Sequence, residues 1–104
     1  MSFRRYEILL PTRYNDGAPV ETEKVDATIE ELATQCGGVT FCPEGMMGVW
    51  FFRGQRFEDT NVKLVVDVED TEETAAFFAR LKEILKERFQ QIDIWIVSCE
   101  IRIT

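Results

Sequence analysis

The chain has 104 residues, 45% of them hydrophobic and 30% charged, the proportions of an ordinary globular protein, and a single domain spanning 1–104 is expected. A chain this long buries about 60–70% of its unfolded surface, so neither disulfides nor a structural metal are needed for it to fold. Twelve Lys and Arg against 19 Asp and Glu leave a net charge of −7; such a field repels phosphate backbones and anionic bilayers, so neither nucleic acid nor membrane is expected as a partner.

Arg5 to Leu10 reads as a strand, with Tyr6, Ile8 and Leu10 on one face and Arg5, Glu7 and Leu9 on the other. Pro11 ends it, and the Asn15-Asp16-Gly17 run that follows is turn chemistry. Glu23 to Cys36 reads as a helix capped by Thr22, with Val25, Ile29, Leu32, Ala33 and Cys36 at helical spacing and Gly37-Gly38 as its stop. An extended segment runs from Val39 to Cys42. It is interrupted at Pro43-Glu44-Gly45 by a bulge or bend and resumes over Gly48 to Phe52.

Arg53-Gly54-Gln55 is a hairpin turn, and Thr60 to Val68 is the return strand. Asp70 is read as the cap of a second helix, with Glu73 completing a capping box. Its apolar stripe is Phe77, Phe78, Leu81, Ile84, Leu85 and Phe89, and Lys82, Lys86 and Arg88 suit the dipole of its later turns. Ile94 to Ile103 is the last strand, with Trp95, Val97, Cys99, Ile101 and Ile103 in one row.

The order β-α-β-β-α-β predicts an α+β, ferredoxin-like sandwich: a four-stranded antiparallel sheet with both helices on one face. The expected strand order is 4-1-3-2, with the first and third strands central. The uncovered face is then expected to carry Glu7, Leu9, Trp50 or Phe51, Lys63, Val65, Asp67, Ile94, Ile96, Ser98 and Glu100. Large apolar groups on such a face favour a homodimer or higher homo-oligomer formed through the sheet, or a small-molecule cleft; pockets often form at interfaces, so the two are compatible.

The chain has no histidine, which excludes Ser-His-Asp and Cys-His machinery within one chain and removes the commonest zinc ligand. The odd set Cys36, Cys42 and Cys99 is read as free thiols, with a reactive Cys42 beside Pro43 as the rival. The acidic run Asp67, Glu69, Asp70, Glu72, Glu73 reads as a strand end and an acidic first helical turn; no metal or cofactor is expected. An RNA-recognition surface would need its own signature on the third strand and a basic charge, and both are missing.

No catalytic set emerges. Candidate ligand-binding residues are Arg13, Tyr14 and Asn15 after the first strand, Trp50, and the charged hairpin tip Arg53, Arg56 and Glu58. The opening Met-Ser-Phe-Arg-Arg-Tyr-Glu has no apolar run after its charges and gives no secretory pattern. No stretch approaches the roughly 20 apolar residues of a membrane span, so a cytoplasmic address is expected.

The segments Tyr6-Glu7-Ile8-Leu9-Leu10-Pro11, Tyr14-Asn15-Asp16-Gly17, Gly48-Val49-Trp50, Val66-Asp67-Val68 and Glu87 to Trp95 together resemble a group of small uncharacterised bacterial proteins of ferredoxin-like topology. The resemblance implies a fold and carries over no activity or site residue. More loosely, the layout is similar to PII-like and dimeric α+β barrel proteins, which bind small molecules between subunits. The functional expectation is a non-enzymatic ligand- or protein-binding regulatory module acting as a homo-oligomer. The alternative is a small histidine-independent enzyme with a polar site in the Arg13–Asp16 and Arg53–Asp59 loops.

Overall fold

The computed structural model describes residues 1–104. Its elements are β1 (Phe3–Pro11), α1 (Thr22–Cys36), β2 (Thr40–Phe52), β3 (Gln55–Glu69), α2 (Glu72–Arg88) and β4 (Ile96–Ile101). The strands form one antiparallel sheet in the order β2-β3-β1-β4. This is the expected ferredoxin-like arrangement, with β1 and β3 central.

Partners facing each other across an antiparallel ladder share a face. The pairs Tyr6↔Val66, Ile8↔Leu64, Leu10↔Val62 and Ile8↔Ile96 therefore point together toward the helices. The buried core is drawn from this row and from Leu32, Phe78, Leu81, Leu85, Phe89 and Ile94. Each such side chain contributes about 1.5–3 kcal/mol by leaving water. Thr28, the one buried polar side chain of the core, donates to the Lys24 carbonyl and accepts from the Arg88 guanidinium, each at 2.8 Å.

Four local readings change. Thr22 is the first helical residue of α1 and Glu21 takes the cap position without capping through its side chain, because the Glu21 carboxylate is engaged by Tyr14 and Lys24. Thr71, one residue after Asp70, caps α2 by accepting from the Thr74 N–H at 3.1 Å. Asp70 is occupied elsewhere: its carboxylate lies 3.1 Å from Arg4 and its N–H donates to the Ser2 carbonyl. Ile84, expected in the apolar stripe of α2, is 48% exposed on the flank of the helix.

The fourth change concerns β4, whose faces are inverted relative to expectation. Ile94 is buried and Ile96 packs on the core, while Ser98 pairs with Tyr6 and Glu100 with Arg4 on the helix side. Trp95 and Val97 are exposed on the open face. The physical reason is register: Ile8↔Ile96 and Glu7↔Val97 are pairs, so the parity of β1 dictates that of β4.

Candidate functional site

Pro11 is the last β1 residue on the ladder with β3, opposite Asn61. Just beyond it the Thr12 N–H still donates to the Thr60 carbonyl at 2.9 Å. From there β2 and β3 continue alone as a two-stranded arm. The arm closes at Arg53-Gly54, a two-residue turn with φ of 51° and 77°, the mirror-type turn that matches strand twist. Within β2 the register slips between Cys42 and Met46, which face Lys63 and Asn61. A bulge here increases local twist and re-aims the arm. Gly45 makes the slip possible, since a Cβ there would lie 2.8 Å from Thr60 Cγ2.

The arm faces the connection between α2 and β4 across a groove of about 860 Å³. Leu9 and Pro11 form its base, Trp50, Phe52, Asp59 and Asn61 its arm side, and Gln91 to Trp95 its other side, with Lys82 and Lys86 of α2 at the rim. Trp50 is fixed: its ring stacks on Phe57 with centroids 4.5 Å apart, and its indole N–H donates to Asp59. Trp95 is 62% exposed, held through its carbonyl, which accepts from the Leu9 N–H at 3.0 Å. A shallower depression of about 250 Å³ continues onto the open sheet face past Met46, Lys63 and Val97, so Trp95 borders both hollows.

Asp93 organises the rim. Its Oδ1 accepts from the Ile94 N–H at 2.9 Å and lies 3.0 Å from Lys82 Nζ. Burial works to raise this carboxyl, yet those two hydrogen bonds and the charges of Lys82 and Lys86 together hold it below the usual carboxylate range. Farther along the open face, Arg5 grips Asp67 with two hydrogen bonds of 2.8 and 2.9 Å, and Lys63 reaches Glu7 at 3.2 Å.

Among the residues named from sequence, Trp50 lies in the groove. Arg53 sits over the Phe52 ring at 5.1 Å, and Arg56 pairs with Glu58 at 3.1 Å on the exposed tip of the arm. Arg13 donates to the Gly17 carbonyl, and Asn15 is an exposed turn residue. Tyr14 accepts from Lys24 Nζ, which also donates to the Arg88 carbonyl at 2.9 Å and so links the β1–α1 loop to the end of α2. The loop residues and the arm residues therefore hold separate local networks.

Sequence reasoning misses Lys82, Lys86, Gln91, Asp93 and Trp95 as groove residues. The two lysines, one helical turn apart, are the available signal, but cations in the later turns of a helix also suit its dipole, and that reading absorbs them.

No protein-family model matches the chain, and a search of curated proteins finds no sequence match. Solved structures of similar fold do exist. The divalent cation tolerance protein CutA1 from Thermus thermophilus superposes with a TM-score of 0.67 at 20% identity, over 98% of this chain and 86% of that one. A phage SAM lyase in complex with S-methyl-5'-thioadenosine gives 0.72 at 18% identity, over 95% and 81%. CutA1 from Oryza sativa gives 0.62 at 14%, over 100% and 84%. Likeness at these identities shows the fold: a CutA1-like, ferredoxin-like sandwich. No helix is long and apolar enough to cross a membrane.

Proposed function

We propose that this chain is a small-ligand-binding module, a single ferredoxin-like domain working as a homo-oligomer, and that its ligand sits between the β2–β3 arm and the α2–β4 connection. The observation that carries this reading is the groove itself. Two tryptophans, two amides and four charged side chains converge on about 860 Å³, within the usual range of small-molecule sites. Trp50 is immobilised by Phe57 and Asp59 while Trp95 is open, so a flat ring entering the groove meets an aromatic surface that needs no reorganisation. The phage SAM lyase of similar fold holds S-methyl-5'-thioadenosine, a ligand built around such a ring, which supports ring-bearing molecules as the class to try first. The oligomeric part rests on Met46 and Val97, partly exposed near Leu9 on a sheet face that no helix covers.

The test is native mass spectrometry of the purified protein, followed by calorimetric titration with purine nucleosides and other ring-bearing metabolites. An oligomer whose ring binding is lost in Trp95→Ala is expected. Binding that survives this substitution overturns the groove as the site, and a strictly monomeric mass overturns the assembly.

A further inference from the structure

We propose that the ligand of this groove is an anion: a planar ring bearing a carboxylate or phosphate, with the ring on Trp95 and the anionic group on Lys82 and Lys86. This deepens the reading above and rests on it.

The argument begins with the partners each group already has. Trp50 stacks on Phe57, whereas Trp95 stacks on no other ring and is the open platform. Lys82 and Lys86 are one turn apart on α2, both at the groove rim. Each retains only about a third of its side-chain exposure, 35% and 31%. The ion-pair partner of Lys86 is Glu83, at 3.4 Å and 69% exposed, and a pair so open to water binds its cation weakly. Lys82 faces Asp93 at 3.0 Å.

Of the two carboxylates in the groove, Asp59 accepts from the Trp50 indole on the arm side. Asp93 is the informative one. It is an anion that the chain itself has placed beside the two lysines, and both stabilise its charged form. The rim is thus built to hold negative charge, in a chain whose overall charge of −7 otherwise discourages it. A ligand's anionic group, approaching along the ring of Trp95, reaches Lys86 directly and shares Lys82 with Asp93. The amides of Asn61 and Gln91 also line the groove and supply neutral hydrogen-bond donors and acceptors.

The experiment compares probes that share a ring and differ in charge: adenosine 5'-monophosphate against adenosine, and indole-3-acetate against indole-3-ethanol, titrated by calorimetry at low and moderate salt. The charged member of at least one pair is expected to bind about tenfold or more tightly, the worth of a hydrogen bond to a charged group. That preference should shrink with salt and vanish in the double variant Lys82→Gln, Lys86→Gln. Asp93→Asn, which frees Lys82, should enlarge it, a gain that a merely structural role for Asp93 would not produce.

A preference for the phosphate pair alone, or the carboxylate pair alone, tells which anion the rim accepts and supports the proposal. Equal binding of charged and uncharged probes overturns the anion, and a preference that survives loss of both lysines overturns Lys82 and Lys86 as its holders; either leaves the groove as a binding site. Failure of every ring to bind overturns both readings.

Discussion

The phenol ring of Tyr6 lies flat on the ring of Phe78, with centroids 3.8 Å apart and planes 7° apart. Tyr6 belongs to a central strand and Phe78 to α2, so this contact joins the sheet to the helix that carries Lys82 and Lys86. Phe77 meets Phe78 edge-on at 5.1 Å and 86°, giving the ring one stacked and one perpendicular partner. Burial also pushes the Tyr6 phenol above its ordinary value.

Phe78→Ala is therefore expected to cost about 3–5 kcal/mol, the range for deleting a buried aromatic ring. Phe78→Leu, which keeps much of the volume, should cost clearly less. Urea unfolding followed by circular dichroism measures both. A loss in Phe78→Ala below about 0.5 kcal/mol, the size of an ordinary surface change, would contradict the contact.

Gly45 offers a test confined to the bulge. A methyl there meets the Thr60 methyl at 2.8 Å, so Gly45→Ala should destabilise by about 0.5–1.5 kcal/mol, the cost of pushing the Thr60 side chain off its rotamer. Thr60→Ser removes the opposing methyl and keeps the backbone carbonyl that accepts from Thr12. The double variant should recover most of the loss, giving a coupling energy that a double-mutant cycle detects. Additive effects would mean that the bulge relaxes without Thr60.

Acid lability should involve Asp67. The hydrogen bonds from Arg5 chiefly, and its charge, hold this carboxyl below the usual carboxylate range against the opposing pull of burial. A carboxyl with a lower pKa folded than unfolded contributes stability that is fully present above its unfolded value, near 3.9. That stability is lost as pH falls toward the folded value. Glu21, held down first by Tyr14, and Asp93 titrate in the same sense. Stability followed from pH 7 downward should fall through the carboxylate range, and Asp67→Asn should flatten part of that fall. An unchanged slope would remove Asp67 from the account.

Trp95→Ala separates binding from folding. At 62% exposure the side chain gives the fold little, and the variant should unfold within about 0.5 kcal/mol of the parent. Its remaining tryptophan, Trp50, should then report a stacked, hydrogen-bonded indole by fluorescence. A large loss of stability would place Trp95 in the fold and weaken its assignment as a ligand platform.

The sheet order was legible because four strand segments and two helices alternate in a pattern with few chiral solutions. The row Tyr6, Ile8, Leu10 and its partners Val62, Leu64, Val66 could be read because their neighbours along the strands are largely polar. β4 could not be read this way. Ile94 and Ile96 are as apolar as Trp95 and Val97, so alternation carries no parity there, and only pairing with Ile8 decides it. The cap of α2 was ambiguous because Asp70 and Thr71 are adjacent and both cap well. The groove was out of reach altogether. It is made where Trp50 and Asn61 meet Gln91 to Trp95, segments far apart in the chain, and no local spacing encodes that meeting.

The arm gives β3 two different lifetimes. From Val62 to Val68 its backbone is bonded to β2 or β1 inside the sheet, but from Gln55 to Asp59 it is paired with β2 alone. Amide hydrogen exchange should divide this single strand. The inner half should exchange only through global unfolding, and the outer half through local opening of the ribbon. The boundary should fall at Thr60, whose carbonyl receives the Thr12 N–H. A molecule bound between the arm and Trp95 would then announce itself as slowed exchange in the outer half of β3, well away from the core it leaves untouched.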